Sequence, residues 1–424
     1  MKILYIYQFL STGRTPGSLR TFRFCRLLAE RGHEVIVLAT DFNRFCGESE
    51  GPKEEVILTK GKPLRIIRVP SVRKYRKGLA YRFANYMAFA VGVLWKGLQF
   101  SDIDLVLTSI PPIFVGPVGW LLATLRRKPF FLEVQDLWPD ALEVKGALKS
   151  QLFLRPLYAL SNFLYRRACF LVTVTYGIKQ ELVKKGIDPL SIAVLPNGLD
   201  PELFRVDLDR EEVRRQWGWN HDFVAIYVGT HTEVTSVDTI VEAAEKLKEY
   251  PKIRFEIFGD GSTKSDLETM IREKRLTNCR LNEPVSKKTV PSLLAAADVC
   301  LMCLFETPLA HIYLQNKLFD YMGAGKPIVA ALRGHQRAII ERVGAGICVD
   351  PKDSTGLANA LLGLANNSQR CQEMGARSQA YAMRHFCLDD ILKRYAELVF
   401  TCAEGKKPTV PSDAFSRWLE NGAH

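Results

Sequence analysis

Short apolar runs alternate with longer amphipathic segments along most of the chain. Near-continuous Val, Ile and Leu runs between helical patterns are typical of parallel strands that are covered on both faces. The predicted strands are Ile3–Tyr7, Val35–Ala39, Leu105–Thr108, Pro129–Glu133, Phe170–Val174, Ile192–Leu195, Phe223–Val228, Ile253–Phe258, Val299–Leu304 and Ile328–Ala331. The predicted helices are Leu19–Arg31, Ser236–Tyr250, Lys264–Glu273, Pro291–Ala297, Thr355–Leu364, Ser368–Arg384 and Leu388–Thr401.

This alternation stops in a charged connector near residues 197–215 and then restarts. We therefore predict an α/β protein with two doubly wound, Rossmann-like domains, at residues 1–200 and 201–385. A C-terminal helix within residues 386–424 is expected to return to the first domain. Doubly wound domains bind ligands at the carboxyl ends of their strands, so we expect a site in the cleft between the two.

Two apolar stretches are long enough to be considered as membrane spans. Phe83–Trp95 is shorter than the ~20 residues that a spanning helix needs. Leu105–Leu125 contains three prolines and two glycines and is better interpreted as a strand, a turn and a helix. The apolar run at the N-terminus is too short for a secretory signal and has no small-residue cleavage site, so it is predicted to be the first strand. We predict no transmembrane helix.

The positive charge of the protein is concentrated in its first half. The net charge is +12, and residues 1–200 carry 29 Lys and Arg against 16 Asp and Glu, whereas residues 201–424 carry 29 against 30. Between Glu55 and Asp102 there are ten Lys and Arg and no acidic residue. Such asymmetry favours an anionic partner. No recognised nucleic-acid motif accompanies this charge, so we do not expect the protein to bind nucleic acid.

A basic cluster precedes the apolar stretch Phe83–Trp95. The expected membrane contacts are Arg73, Lys74, Arg76, Lys77 and Arg82. Basic residues beside aromatic and aliphatic ones suit an anionic membrane surface. The alternative is that Phe83–Trp95 is a core helix that follows a basic loop, and one helix can serve both purposes.

The ten cysteines show no repeated spacing and lie mostly in apolar segments. This distribution is typical of buried thiols in a reducing compartment. Cys300 and Cys303 have the spacing of a metal or redox motif, but they lie in a predicted strand without a second pair, which favours core packing.

Three segments of the second domain combine strand ends, glycines and polar side chains. In the segment FGDGSTKSDL, Gly259 and Gly261 follow a predicted strand and precede a helix, so backbone N–H groups can approach an anion there. His231 lies in a second loop of this kind. In NKLFDYMGAG, Lys317 and Asp320 are three residues apart and share one helical face. A lysine near a helix N-terminus can neutralise phosphate, and a carboxylate can accept hydrogen bonds from ribose. The alternative is an ordinary surface Lys–Asp pair.

The first domain offers two loops of the same kind. QFLSTGRTPGSLR follows the first strand and contains Gly17, Arg14 and Arg20. EVQDLWPD follows another strand and contains Gln135 and Asp136. Taken singly, these are ordinary turn residues.

Together, seven segments in order over nearly the whole chain resemble family 4 glycosyltransferases of the GT-B fold, in the WbuB-like branch. They are RGHEVIVLAT, TSIPPIFVG, LEVQDLWPD, LPNGLDPELF, IFGDGSTKSDL, PSLLAAADVCL and NKLFDYMGAGKPIVA. The resemblance implies a nucleoside-diphosphate sugar bound by the second domain and an acceptor bound by the first. It also implies retention of anomeric configuration and catalysis without a metal or other cofactor.

The resemblance also implies roles for individual residues. Lys317, Gln135 and Asp136 are the expected catalytic residues. The expected donor-binding residues are Gly17, Arg14, Arg20, Gly229, Thr230, His231, Gly259, Gly261, Glu283, Asn316 and Asp320. Three positions depart from the family pattern: Ile312 replaces its first glutamate, Glu233 stands where a cation is common, and Gln135 replaces a histidine. An amide orients a hydroxyl but does not act as a base.

The sequence thus predicts a retaining glycosyltransferase that acts on a lipid-linked saccharide in surface polysaccharide biosynthesis. We expect it in the cytoplasm, peripheral at the inner face of the cell membrane. One alternative is a sugar-nucleotide 2-epimerase of the same fold. The other is a catalytically degenerate, membrane-associated assembly partner, which the departures at Glu233 and Gln135 keep open.

Overall fold

The computed structural model describes residues 1–15, 17–44, 47–73, 75, 78–144, 150–204 and 209–410. These residues divide into two compact units. The first unit is Met1–Pro196 with the described residues from Asp390 onward, and the second is Asn197–Asp389. The breaks therefore fall within a few residues of the predicted boundaries at 200 and 385.

The first unit is built on an eight-stranded sheet with the order β3-β4-β2-β1-β5-β6-β7-β8. Its strands are β1 (Lys2–Ile6), β2 (Glu34–Thr40), β3 (Glu54–Ile57), β4 (Leu64–Val69), β5 (Leu105–Ile110), β6 (Phe130–Val134), β7 (Phe170–Thr173) and β8 (Ile192–Val194). All neighbours pair in parallel except β3, which runs antiparallel to β4 at the edge. The helices of this unit are α1 (Arg20–Glu30), α2 (Leu79–Leu98), α3 (Val115–Arg126), α4 (Asp140–Val144), α5 (Gln151–Arg167) and α6 (Tyr176–Lys184).

The second unit is built on a six-stranded parallel sheet with the order β11-β10-β9-β12-β13-β14. Its strands are β9 (Phe223–Val228), β10 (Ile253–Phe258), β11 (Cys279–Asn282), β12 (Val299–Cys303), β13 (Ile328–Ala331) and β14 (Gly346–Val349). Its helices are α7 (Pro201–Phe204), α8 (Arg210–Trp217), α9 (Asp238–Lys246), α10 (Lys264–Glu273), α11 (Val290–Ala296), α12 (Asn316–Gly323), α13 (His335–Val343), α14 (Ser354–Ala365) and α15 (Ser368–His385). Alternate residues of β9, β10, β12 and β13, which share one face of this sheet, form a buried core with side chains of α9, α10 and α14.

The order of the strands reverses at one position in each sheet. In the first unit β1 lies between β2 and β5, and in the second unit β9 lies between β10 and β12. Helices on opposite faces of the sheet then diverge, which opens a crevice at the carboxyl ends of the strands. The polar loops predicted from the sequence follow β1, β6, β9 and β10, and the segment with Lys317 and Asp320 follows β12. Most of them therefore lie at these reversals or directly beside them.

The last helix, α16 (Leu388–Ala403), packs mainly in the first unit. Its Tyr395 ring stacks on Phe24 of α1, with 4.0 Å between the ring centroids, and also approaches Phe131 of β6. The aromatic burial explains why a segment from the end of the chain is part of the first unit's core.

Two sequence predictions concern membrane spans. The stretch Leu105–Leu125 is the strand β5 followed by the helix α3, as predicted. Within the described part of the chain, no helix is both long enough and apolar enough to cross a bilayer.

Candidate functional site

The loops that follow β9 and β10 are packed backbone to backbone. A Cβ atom at Gly259 would overlap the carbonyl oxygen of Gly229, and one at Gly261 would overlap that of His231. The His231 N–H donates to the Asp260 carbonyl oxygen at 2.9 Å, and the Thr263 N–H donates to the His231 carbonyl oxygen at 3.2 Å. Only glycine fits at these two positions, because the two loops leave adjacent strands too close together for any side chain.

The helix α12 is held against the end of β9. The Tyr321 hydroxyl accepts a hydrogen bond from the Val228 N–H at 2.9 Å. On the other sides of this helix, the side chains of Leu318, Phe319 and Met322 are buried. Gln315, the residue before the helix, makes no side-chain cap, and the Leu318 N–H donates to the Gln315 carbonyl oxygen at 3.0 Å. The Asn316 and Lys317 amides therefore keep the capacity to bind an anion.

This packing directs the ammonium group of Lys317 toward the β9 loop. Its Nζ lies 3.7 Å from the centroid of the Tyr227 ring, and a Cβ at Gly229 would stand 2.6 Å from it. The Nζ atom is buried and has no hydrogen-bond partner among the described residues, although the rest of the side chain is partly exposed. The Tyr227 ring face supplies a cation–π contact, which replaces only part of the lost hydration.

Burial lowers the pKa of Lys317 to about 7. The desolvated ammonium group is therefore only partly charged near neutral pH. A diphosphate placed beside it would favour the charged form and satisfy its unused donors. An ammonium group in this state is a candidate for anion binding.

His231 lies next to Lys317 and is fully buried. Burial, followed by the nearby charges of Lys317 and Lys264, lowers the pKa of His231 to about 4. Neither ring nitrogen has a hydrogen-bond partner among the described residues. The imidazole is thus neutral at physiological pH. It does not supply the cation that the family pattern places in this loop.

Lys317 and Asp320 do not pair with each other. The Asp320 carboxylate instead forms an ion pair with Lys287, and Lys317 makes no ion pair among the described residues. The interpretation of these residues as a surface Lys–Asp pair is therefore wrong. The physical reason is that α12 turns Lys317 inward onto Tyr227 while Asp320 faces the segment before α11.

The other predicted donor-binding residues of this unit are more exposed. Thr230 and Asn316 are exposed, and Asn316 is the first residue of α12. Glu283 is 85% exposed, and its Oε1 accepts a hydrogen bond from Lys264 at 2.7 Å. Their roles in binding stay predictions.

Two lysines in this region were not predicted from the sequence. Lys264 is the first residue of α10 and affects the pKa of His231, and Lys287 holds Asp320. Lys264 follows the predicted Gly-rich turn, and this position could have indicated from the sequence that it lies near the site. Lys287 had none, because only the tertiary structure brings it to Asp320.

In the first unit, a buried ion pair occupies the end of the sheet. Arg20 of α1 pairs with Glu133 of β6, and both side chains are almost fully buried. Glu133 also accepts hydrogen bonds from Tyr5 at 2.9 Å and from Ser109. Burial alone would raise the pKa of Glu133, but the charge of Arg20 and the hydrogen bonds from Ser109, Arg20 and Gln135 outweigh it and lower the pKa. Arg20, expected to be a free cation for the donor, thus has its charge matched inside this unit.

Gln135 is oriented by the same cluster. Its Nε2 donates to Glu133 at 3.1 Å, and its Oε1 accepts from the Tyr7 hydroxyl at 3.4 Å. One amide hydrogen and one carbonyl lone pair remain for a ligand. Asp136 follows in the same loop and is half-buried. The cluster orients the amide, and the catalytic roles of Gln135 and Asp136 stay predictions.

The remaining predicted residues of the first unit also have internal partners. Arg14 forms a two-point ion pair with Glu55, at 2.9 and 2.6 Å, so it is not an unpaired cation. Gly17 packs against Ser11. Arg73 pairs with Asp41 at 2.9 Å, and Arg82 lies over the Tyr75 ring. The predicted membrane contacts Lys74, Arg76 and Lys77 lie outside the described residues.

No cluster of metal ligands is present in the described ranges. None of their His, Cys, Asp and Glu side chains form a group of three or more that could hold a metal ion. Cys300 and Cys303 are buried in β12, with pKa values that burial raises. Their environment is that of core thiols.

Two family models match the chain in succession. Residues 18–203 match Glycosyltransferase Family 4, and residues 222–367 match Glycosyl transferases group 1. The putative colanic acid biosynthesis glycosyl transferase WcaI of Escherichia coli K12 is 24% identical over 390 residues, which are 87% of this chain and 92% of that protein. N-acetyl-alpha-D-glucosaminyl L-malate synthase of Bacillus anthracis is 20% identical over 52% of this chain and 55% of its own length.

Solved structures match over nearly the whole chain. Anabaena HepE in complex with UDP and glucose gives a TM-score of 0.70 at 18% identity, covering 95% of this chain and 100% of that one. Sucrose-phosphate synthase from Thermosynechococcus elongatus gives 0.74 at 16% identity, covering 96% and 100%. At this identity the likeness establishes the GT-B fold. With the family matches, it follows that the chain belongs to the family 4 glycosyltransferases.

Proposed function

We propose that this glycosyltransferase takes its sugar from a nucleoside-diphosphate sugar held by the second unit. The observation that carries the proposal is the Lys317 ammonium group, buried without a hydrogen-bond partner beside Gly229 and the first turn of α12. A buried, unpaired cation destabilises a fold unless a ligand uses it. A diphosphate supplies the charge and the acceptor oxygens that this position lacks.

The relatives support the same donor class. HepE was solved with UDP and glucose and also with UDP-glucose, and it shares the fold of this chain. Uridine diphosphate is therefore the first nucleotide to test. The likeness to WcaI supports a role in the biosynthesis of a surface polysaccharide.

In the proposed mechanism, the leaving diphosphate is stabilised without a metal ion. Lys317 contributes charge, and the Asn316 and Lys317 amides at the start of α12 contribute hydrogen bonds. Donors aimed at the developing charge lower the barrier most in a site without bulk water. We expect transfer with retention of configuration.

The acceptor is proposed to be a lipid-linked saccharide bound by the first unit. Gln135 and Asp136 would orient its attacking hydroxyl. The excess of Lys and Arg in residues 1–200, 29 against 16 acidic residues, supports an anionic acceptor and a position at the inner membrane face.

Nucleotide binding tests the donor side. We expect UDP to raise the unfolding temperature of the wild-type protein, and Lys317→Met to abolish most of this shift. Lys326→Met is the matched control, since Lys326 is half-buried and burial lowers its pKa to about 8, but it precedes β13 at the opposite end of the sheet. Equal UDP shifts in both variants and in the wild type would show that Lys317 does not face the nucleotide.

Product analysis separates the remaining alternatives. Sugar transfer from a labelled donor to a membrane extract is expected, and interconversion of the free sugar nucleotide would instead indicate an epimerase. A protein that shows no thermal shift with any nucleoside diphosphate would support the degenerate assembly partner.

A further inference from the structure

The helix α2 is apolar on all sides over its 20 residues, apart from a few polar positions. Its inner face, with Phe89 and Val93 fully buried, packs against the first unit. A helix on the surface of a globular protein normally turns a charged or polar face to water. The outer face of α2 does not.

Four large apolar side chains lie along this outer face at intervals of four residues. Phe83, Met87, Val91 and Trp95 are 54, 38, 65 and 70% exposed, respectively. Residues four apart stand above one another on a helix, so these side chains form a stripe. The positions between them on the same side are also apolar: Ala80, Ala84, Ala88 and Leu98. We call these eight residues the α2 outer face.

The α2 outer face contains no charged side chain and extends for about 30 Å, the length of a 20-residue helix. Exposed apolar patches of this length on a soluble protein mark a site that another apolar phase covers. Phe and Trp are the side chains that partition best into the headgroup boundary of a bilayer.

The surrounding charge selects the kind of apolar phase. The chain from residue 56 to residue 101 has ten Lys and Arg and no acidic residue. On α2 itself, Arg82 and Lys96 are exposed near the two ends of the helix. Cations around an uncharged stripe are complementary to anionic lipid headgroups, each being worth about 1 kcal/mol near such a surface. A protein partner or second copy would need a matching acidic rim, whereas this segment offers only positive charge.

We propose that the α2 outer face lies in the interface of an anionic bilayer, with Phe83, Met87, Val91 and Trp95 inserted below the headgroups. The helix lies parallel to the membrane plane, as interfacial amphipathic helices do. This membrane contact would bring the protein to the proposed lipid-linked acceptor, and its purpose rests on that proposed function. The binding itself requires no sugar transfer and is measured without it.

Vesicle flotation of the full-length protein tests the proposal. We expect the wild-type protein to float with vesicles that contain phosphatidylglycerol and to bind vesicles of phosphatidylcholine alone about tenfold more weakly. Val91→Glu is expected to reduce binding to the anionic vesicles by about tenfold or more. Leu190→Glu is the matched control, because Leu190 is also 65% exposed but lies just before β8, at the other edge of the sheet. It should bind as the wild type does.

Fluorescence adds a second measurement that does not depend on a destabilising charge. Lipids brominated near the headgroup should quench Trp95, and Trp95→Phe should remove this quenching while keeping most of the binding. Equal flotation of Val91→Glu and wild type, or no quenching difference between Trp95→Phe and wild type, would overturn the proposal. So would a concentration-dependent dimer that Val91→Glu dissociates, because the face would then belong to a second copy.

The UDP thermal shift distinguishes this proposal from the proposed function. Val91→Glu should keep the shift, since the substitution is in the first unit and Lys317 is in the second. If the wild-type protein binds anionic vesicles but shows no thermal shift with any nucleoside diphosphate, the proposed membrane contact of the α2 outer face is supported and the proposed nucleoside-diphosphate donor is refuted.

Discussion

At the residue scale, Lys317 is a buried ammonium group for which we propose a role in donor binding at the expense of stability. Its sequence neighbours suggested a surface pair with Asp320, but the fold gives Asp320 to Lys287 and leaves the Lys317 ammonium buried. Spacing along a helix predicts which residues share a face. It does not predict what that face meets, because the contact with Tyr227 comes from β9, ninety residues earlier in the sequence.

Lys317→Met is expected to stabilise the free protein while weakening nucleotide binding. Burial sets the pKa of Lys317 at about 7 in the folded state, against an ordinary value of 10.5, so the unfolded chain binds this proton more tightly. The contribution of Lys317 to the free energy of unfolding of the wild-type protein therefore becomes more favourable as pH rises from about 7 toward 10. We expect the variant to melt roughly 2–5 °C higher at pH 7, a gap that narrows by pH 9.5.

Thermal unfolding of both proteins in the absence of nucleotide, between pH 7 and pH 9.5, measures this effect. A variant that melts below the wild type at pH 7 would show that the ammonium group is already stabilised by a partner.

The pair Arg20–Glu133 is expected to behave as a coupled unit. Glu133→Gln leaves the buried guanidinium group without a counter-charge, and loss of one partner of a buried pair costs about 3–5 kcal/mol. Arg20→Met leaves the carboxylate unpaired in the same way. The double variant should be more stable than either single variant, as measured by chemical denaturation. Additive losses would instead indicate two independent contacts.

At the element scale, most strands were predictable because buried parallel strands are continuous apolar runs. Ten of the fourteen strands in the described residues coincide with predicted runs to within about two residues. The four that were missed are β3, β4, β11 and β14. Of these, β3, β11 and β14 are sheet edges, and β4 carries two arginines. The edge strand β8 was predicted because all three of its residues are apolar and buried.

The β9 and β10 loops depend on glycine for their close approach, and two Gly→Ala substitutions should have opposite effects. Gly261→Ala forces a Cβ into the His231 carbonyl oxygen and should lower both the melting temperature and the affinity for UDP. Gly363→Ala is the control. It lies within α14 with no atom within 4 Å of the added carbon, so alanine should stabilise the helix by about 0.5–1 kcal/mol. Melting curves and UDP titrations measure both; unchanged UDP affinity in Gly261→Ala would remove this loop from the donor site.

At the scale of the whole molecule, the chain combines two doubly wound units, and its last helix is part of the core of the first. The sequence predicted this return of α16, but not its means, the stack of Tyr395 on Phe24. The cleft between the units as the place of reaction stays a prediction. So do the lipid-linked acceptor and the retention of configuration.

Catalysis without a metal gives a prediction for the complete reaction. Turnover should be unchanged by excess EDTA, because in the proposed mechanism Lys317 and backbone amides, rather than a divalent ion, stabilise the leaving diphosphate. The product, analysed by NMR, should keep the anomeric configuration of the donor. Loss of turnover on chelation, restored by added Mg²⁺, would contradict the metal-free mechanism, and an inverted product would contradict retention.

The sequence by itself determined the two-unit α/β architecture, the positions of the glycine loops and the family, because periodicity and backbone requirements are local. Only the tertiary structure decided which charges are already matched and which are not. Arg14 and Arg20, predicted to serve the donor, hold Glu55 and Glu133, whereas Lys317 is left unpaired. It also decided that one face of α2 is uncovered. Both outcomes depend on contacts between residues distant in the chain, which no local pattern specifies.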